Sequence, residues 1–285
     1  MPEGYGWNLP RGPGVRQAMK RALVLGAVLA ALLVGSAGAA GPSPGIAFGS
    51  PGVVSHDGKV RYVALRAGKG TLVEAIGTRT GLVRSRYLRG VYGLPMVAYD
   101  RSLGGLARNG KLLVVYSPGE QKTRFVVLDA RSLEVHSRIA LKGNFGFDAL
   151  SPDGSVMYLI QIKNNPNGPI AYDVRALNVA TGRLYPGALV DRREPDEKMT
   201  GIPMTRVGSA DASWAYTLYM RPNGGPFVHA LHTTAREAFC IDVPIGPSDE
   251  RLSRVRMRLR GGSLELRLRG RTLATIDTRS FEVKK

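Results

Sequence analysis

The sequence lacks several features that mark common classes of enzyme and scaffold. It has a single cysteine, Cys240, and therefore forms no intramolecular disulfide. Aromatic residues make up only 7% of the chain, and no P-loop or dinucleotide-binding fingerprint is present. From residue 46 onward there is almost no helical periodicity. These absences exclude a disulfide framework, a nucleotide-binding α/β enzyme and a helical bundle. Because Cys240 lies between apolar neighbours, we expect a buried, inert thiol.

The first 40 residues have the composition of a secretory signal. Met19-Lys20-Arg21 is a positive segment, the apolar run 22–34 follows it, and Ala37 and Ala39 form an A-x-A pattern. We predict cleavage after Ala39 and translation from Met19. The apolar run is short for a membrane span, which needs ~20 residues, and an uncleaved anchor is the alternative. The predicted location is secreted or extracytoplasmic, in a bacterial cell envelope, with membrane contact only through an uncleaved signal.

After a linker over 41–45, a repeated phrase dominates the chain. It reads FDALSPDGSVMYLIQ at Phe147–Gln161, and related hairpins begin at Val53, Gly105, Gly208 and Met257. Each is a strand, a tight turn and a second strand, and the period of roughly 45–55 residues is typical of a propeller or array. The pattern predicts one all-β, propeller-like domain over 46–285. Its five four-stranded units are 46–90, 91–143, 144–190, 200–246 and 250–285.

The fifth unit reaches Lys285 without a clear fourth strand. Propellers often close their ring by borrowing a strand from the opposite terminus. We therefore expect Ile46-Ala47-Phe48 to pair beside Thr272–Val283.

The best copies of the repeat carry a family resemblance. SPDG followed by an apolar strand at Ser151–Ile160, and a strand ending in a D-x-x-T/S-L/G turn at Ala171–Gly182, resemble the YVTN-type and WD-type β-propeller repeats. Asn109–Ser117 with Arg124–Val135 show the same features. The resemblance covers most of 46–246 and implies the fold. It implies almost nothing about activity, because propellers host many functions.

The net charge of +18 is concentrated near the C-terminal end. Removing residues 1–40 leaves +15, and residues 251–285 hold 11 basic and three acidic residues. In RVRMRLRGGSLELRLRGR (254–271), a two-residue turn at Gly261-Gly262 places Arg260 opposite Ser263 and Arg258 opposite Glu265. The same register places Arg256 opposite Arg267 and Arg254 opposite Arg269. Alternation puts these side chains on one face and only apolar ones on the other.

This hairpin predicts an anion-binding patch, because like charges directly opposite each other are unfavourable unless an anion lies between them. If the ring closes, the first unit adds arginines from LVRSRYLRG. The predicted anion-binding residues are Arg254, Arg256, Arg258, Arg267, Arg269, Arg84 and Arg86. A solvated face in an arginine-rich protein is the alternative.

No other cluster predicts chemistry. His229 and His232 fall on opposite faces of a strand, and the acidic loop 191–198 has its own basic residues. The aspartates that recur in the repeats are typical of Asx turns. They are Asp57, Asp129, Asp153, Asp173 and Asp277.

We predict no catalytic residue, no metal and no cofactor. The expected function is a monomeric, non-catalytic binding or scaffold module for a protein partner or an anionic envelope polymer. Nucleic acid is disfavoured by the predicted export and by the lack of interleaved aromatic residues. The alternative is a hydrolase or lyase that acts on a carbohydrate or lactone in the propeller channel.

Overall fold

Antiparallel hairpins account for nearly all regular structure in the computed structural model, which describes residues 41–163, 170–221, 224–246 and 250–285. The predicted signal lies outside these residues. The described residues contain 22 strands and one short 3₁₀ helix, η1 (Glu250–Arg254). None of them forms a helix long and apolar enough to cross a bilayer.

Five main sheets follow one another along the chain, each made of neighbouring strands in sequence order. The first sheet contains β2 (Val53–Val54), β3 (Val60–Ala67), β4 (Gly70–Gly77) and β5 (Val83–Arg89). The second contains β7 (Leu112–Ser117), β8 (Lys122–Asp129) and β9 (Val135–Lys142). The third contains β10 (Phe145–Leu150), β11 (Val156–Lys163), β12 (Ala171–Asn178) and β13 (Arg183–Leu184), with β14 (Met199–Thr200) also paired to β12. The fourth contains β15 (Ile202–Gly208), β16 (Trp214–Met220), β17 (Phe227–His232) and β18 (Glu237–Asp242). The fifth contains β19 (Arg256–Arg260), β20 (Ser263–Leu268), β21 (Arg271–Asp277) and β22 (Val283–Lys284).

The turns repeat because short polar side chains hold them in the same way. Asp153 Oδ1 accepts hydrogen bonds from the Ser151 hydroxyl (2.6 Å) and from the backbone and hydroxyl of Ser155. These bonds, that from Ser151 first, lower the pKa of Asp153. In the corresponding turn of the fourth sheet, the bond from Ser209 to Asp211 is also 2.6 Å and leads the effects that lower the pKa of Asp211 to about 2. The recurring aspartates therefore shape turns.

The segments LDARSLEV (128–135) and IDTRSFEV (276–283) are similar in sequence, and they form turns of the same kind. Asp129 and Asp277 each accept bonds from the two backbone amides that follow in the turn. Asp173 differs, since its carboxylate pairs with Lys163 at 2.6 Å.

The core consists of four apolar clusters, each of which joins one sheet to the next. Val73 and Val126 belong to the cluster between the first and second sheets, and Leu266 belongs to the cluster between the fourth and fifth. The other two clusters join the second sheet to the third and the third to the fourth. Among the described residues, no such cluster joins the fifth sheet to the first. The array therefore has two end faces.

The predicted strand exchange at the ring closure is wrong. β1 (Ile46–Ala47) pairs with β6 (Leu94–Pro95), not with the fifth sheet. The fifth sheet has its own fourth strand, because Val283 of β22 pairs with Ile276 of β21. The turn at Asp277 reverses the chain early enough for these last residues to return along β21.

The second unit also departs from the predicted four strands. Its first strand is interrupted, with only isolated bridges to β7 from Gly93 and Leu106. Between these points the chain forms an inserted hairpin (Met96–Leu103), closed by a bridge between its end residues. At the tip, the Tyr99 amide donates to the Pro203 carbonyl (2.9 Å) and the Asp100 amide to the Met204 carbonyl (3.1 Å). The inserted hairpin thus connects the inner edge of the second sheet to β15 of the fourth.

Candidate functional site

The outer face of the fifth sheet carries a row of arginines in the predicted register. Arg256 lies opposite Arg267, Arg258 opposite Glu265, and Arg260 opposite Ser263. We call Arg256, Arg258, Arg260 and Arg267 the arginine face. Three of them are exposed and Arg267 is half-buried.

Burial of the opposite face fixes this register. Leu264 and Leu266 are fully buried against the fourth sheet, and Met257 is 9% exposed. A one-residue slip would place the arginines in this core, which is strongly unfavourable. The alternation read from the sequence therefore sets the orientation of the hairpin.

The arginine face has little internal charge compensation. The β19–β20 hairpin places one carboxylate on this face, Glu265, which lies 3.3 Å from the Arg267 guanidinium. Asp277 of β21 lies opposite Ser263 on the same face, and its carboxylate accepts hydrogen bonds from the backbone of its own turn. Among the described residues, Arg256 donates to two backbone carbonyls, those of Ser253 and Val255, and to no carboxylate. The side chains of Arg258 and Arg260 have no hydrogen-bond or ion-pair partner among the described residues. Their donors are free to meet an external anion.

The structure does not bring the other predicted anion-binding residues into this row. Arg254 ends the 3₁₀ helix η1 and so does not pair with Arg269. Arg269 lies in the turn before β21, with a backbone φ of 49°. Both are exposed beside the arginine face and not on it.

Arg84 and Arg86 are farther from the predicted arrangement. They lie opposite Ala75 and Val73, whose side chains face the second sheet. Arg86 donates to the Leu133 carbonyl of that sheet at 3.0 Å. Leu88 shares this face and is 1% exposed, so its burial determines where both arginines point. The sequence contained that signal, since Leu88 alternates in step with them.

A buried ion pair between an arginine and an aspartate was not predicted from the sequence. Arg206 of β15 and Asp148 of β10 form an ion pair of 2.7 Å between the fourth and third sheets, with side chains 9% and 3% exposed. The same nitrogen of Arg206 also donates to the Asp148 carbonyl at 2.6 Å. Asp148 reaches this position because it is the extra residue of a β-bulge in β10.

A polar row crosses the fourth sheet from this ion pair. Arg206 lies opposite Thr217, Thr217 opposite His229, and His229 opposite Cys240. His229 is fully buried, and neither ring nitrogen has a hydrogen-bond partner among the described residues. Burial is the first cause that lowers the pKa of His229 to about 4. We call Asp148, Arg206, Thr217, His229 and Cys240 the buried polar row, although Cys240 at its outer end is partly exposed and not fully buried as the sequence predicted.

The outer end of the buried polar row is tied to the acidic loop. Asp191 is 4% exposed and accepts a bond from the Cys240 amide at 2.8 Å. Arg193 pairs with Asp191 at 2.6 Å and donates to the Cys240 carbonyl. Burial raises the pKa of the Cys240 thiol to about 12, so the thiol stays protonated at neutral pH. This arrangement suits a structural role.

Near the inner strands, where the predicted alternative placed an enzyme site, two segments pack against β10. Ser43 lies against Gly146 of β10, and a Cβ built at Gly104 would meet the Phe147 ring at 2.8 Å. Asp100 accepts a bond from the Ser102 hydroxyl at 2.6 Å. Within the described residues, no three His, Cys, Asp or Glu side chains are placed to hold a metal ion.

No family model matches the chain, and no curated protein matches its sequence. Its fold is similar to hydrazine synthase of Kuenenia stuttgartiensis, with a TM-score of 0.53 and 17% identity over 80% of this chain and 71% of that one. The β-propeller domain of the trilobed protease from Pyrococcus furiosus, which has an open velcro topology, gives 0.50 and 12% over 81% and 68%. An acylaminoacyl peptidase from Pyrococcus horikoshii gives 0.51 and 13% over 83% and 38%. The likeness concerns the fold alone, and the domain has the fold of a β-propeller.

Proposed function

We propose that this β-propeller is a non-catalytic binding module and that its arginine face binds a linear anionic polymer. The observation that carries the proposal is a sheet face on which β19 and β20 place four arginines and one carboxylate, and which none of the apolar clusters covers. A guanidinium is always charged, and its planar fork suits carboxylate, sulfate or phosphate groups. The predicted export would place this face among acidic envelope polymers.

The spacing of the arginines favours an extended polymer over a single small anion. Alternate residues of a strand are about 6.8 Å apart, so Arg256, Arg258 and Arg260 form a line of charges at that interval. Across the strands, Arg256 and Arg267 are about 5 Å apart at their Cα atoms. A chain with regularly spaced anionic groups can contact several of these arginines at once, which raises its overall affinity.

Release of charge repulsion would contribute to binding. Arg256 and Arg267 are directly opposed, and a cross-strand pair of like charges costs some tenths of a kcal/mol. An anionic group between them removes this repulsion. The face is rigid because its reverse side is core, so little side-chain order beyond the arginines themselves is lost on binding.

The test compares retention on immobilised heparin, a linear sulfated polymer, as the salt concentration rises. One variant replaces Arg256, Arg258, Arg260 and Arg267 with serine. The matched control replaces four exposed arginines of the first three sheets with serine. These are Arg79, Arg131, Arg138 and Arg183.

We expect the arginine-face variant to elute at clearly lower salt and the control to elute near wild type. If each arginine neutralises one anionic group, the slope of log affinity against log salt falls by roughly 3. Equal elution of the two variants would mean that only net charge matters and would refute the proposal. Unchanged retention of the arginine-face variant, with binding to a protein from the same envelope, would favour a protein partner instead.

A further inference from the structure

A cavity of about 410 Å³ lies between the first sheet and the loop that precedes β7. Its apolar lining residues include Val53, Val54, Leu103 and Leu106. This volume is within the usual range for small-molecule sites, which are mostly apolar with a few placed polar groups. The cavity is far too narrow for a folded partner but large enough for a ligand of some tens of atoms.

The polar side chains that line the cavity are two arginines and one histidine. His56, Arg101 and Arg108 line it, and no carboxylate does. The nearest acids along the chain are held in their own turns, since Asp57 accepts a bond from Ser55 (2.7 Å) and Asp100 from Ser102 (2.6 Å). Among the described residues, neither carboxylate forms an ion pair with Arg101 or Arg108.

The three side chains His56, Arg101 and Arg108 differ in the hydrogen-bond partners that they already have. Arg108 donates to the Ala210 carbonyl of the fourth sheet and contacts His56 Nε2. Because a guanidinium can only donate, His56 Nε2 is the acceptor and its Nδ1 carries the hydrogen. Arg101 is exposed, and its side chain has no hydrogen-bond or ion-pair partner among the described residues. Arg101 is thus available to bind an anionic group, and we call it the free anchor. Arg108 and His56 are held in place by their existing contacts.

We propose that this cavity binds a small amphiphilic anion, with the apolar part against Val53, Val54, Leu103 and Leu106 and the anionic group on Arg101. A carboxylate or phosphate monoester would supply acceptors for that guanidinium, and a short alkyl or aromatic body would fill the apolar part. The proposal is independent of the arginine face, which lies on another sheet.

The test uses octyl phosphate below its micelle concentration, measured by isothermal titration calorimetry on the wild-type protein. Octanol and inorganic phosphate test the two halves of the ligand separately. The variant Arg101→Ser removes the free anchor, and Arg79→Ser, an exposed arginine outside the cavity, is its matched control. Val54→Trp fills the cavity from a position that is 42% exposed, so it tests the site without altering the core.

We expect wild type and Arg79→Ser to bind octyl phosphate equally and Arg101→Ser to bind it at least about tenfold more weakly, as the loss of a charged hydrogen bond implies. Octanol and inorganic phosphate should each bind at least about tenfold more weakly than octyl phosphate, and Val54→Trp should abolish binding. The fourfold variant of the arginine face should bind like wild type. Equal affinity in Arg101→Ser, equal affinity for octanol, or loss of binding in Arg79→Ser or the arginine-face variant would overturn the proposal.

Discussion

Arginine occurs in two opposite settings in this molecule, at the junction of the third and fourth sheets and on the outer face of the fifth. Arg206 is 9% exposed and committed to Asp148, whereas Arg258 is exposed and has no partner among the described residues. Each stands on the first strand of its sheet. Arg206 points toward the preceding, third sheet, whereas Arg258 points away from the preceding, fourth sheet. What differs is whether another sheet covers them. An arginine that another sheet covers forms a structural ion pair. An arginine that no sheet covers can bind an external anion.

The largest expected effect is a loss of stability when the covered arginine, Arg206, is replaced. Arg206→Ser leaves Asp148 buried without its cation, which typically costs about 3–5 kcal/mol. Arg258→Ser removes an exposed, unpaired side chain and should change the free energy of unfolding by no more than about 0.5 kcal/mol. Urea denaturation of both variants measures the difference.

A double replacement separates charge burial from packing. Arg206→Met with Asp148→Leu removes both charges and should recover most of the stability that Arg206→Ser loses. A similar loss in Arg206→Ser and Arg258→Ser would show that the ion pair is not buried in solution.

The next largest effect is a dependence of stability on pH, caused by the buried His229. The pKa of His229 is lowered to about 4 by burial, against an ordinary value near 6.5. The unfolded chain therefore binds a proton below pH 6.5 that the folded protein accepts only near pH 4, so stability falls as the pH drops through this window. The full loss is about 3 kcal/mol, since each pKa unit corresponds to about 1.36 kcal/mol.

His229→Phe should flatten the stability profile between pH 6.5 and 4, measured as urea midpoints at successive pH values. His232→Gln is the matched control, because His232 is partly exposed on the other face of the same strand. Heparin binding by the folded protein should persist as stability falls, because a guanidinium is always charged in proteins. A profile as steep in His229→Phe as in wild type would contradict the assignment.

The smallest effect concerns the one acid of the β19–β20 hairpin. Glu265 pairs with Arg267 at 3.3 Å, and both side chains are partly exposed. Glu265→Gln frees that guanidinium and should raise heparin affinity about two- to threefold, with a change in stability below about 1 kcal/mol. Calorimetric titration with a defined heparin fragment measures it, and Glu134→Gln, an exposed acid of the second sheet, is the control. Weaker binding of Glu265→Gln would mean that Glu265 orders the arginines for the polymer.

The fold was predictable because its signals are local. Period-two alternation gave the strands, and the aspartate turns gave their spacing. The register of the arginine hairpin followed from Gly261-Gly262, whose two glycines adopt positive φ values. The face of Arg84 and Arg86 could also have been derived, because Leu88 is in step with them.

The missed features depend on contacts between distant segments. Asp148 and Arg206 are 58 positions apart, and a bulge places the aspartate. In the sequence each is a lone charged residue in an apolar strand, which signals burial but not its partner. The strand Ile46–Ala47 and the inserted hairpin are short polar-and-apolar mixtures that fit several edges equally well. Only the assembled inner strands determine which edge they join.

The inserted hairpin has a consequence for how the chain folds during synthesis. Each sheet is continuous in sequence and can form as it leaves the ribosome, but Tyr99 and Asp100 find their acceptors only at Pro203 and Met204. At ~5–20 residues per second, translation supplies those acceptors roughly 5–20 s later. Until then the hairpin tip is solvated, and the early sheets have no contact with the fourth through it. Completion of β15 is therefore the earliest step at which the inserted hairpin can join the second sheet to the fourth.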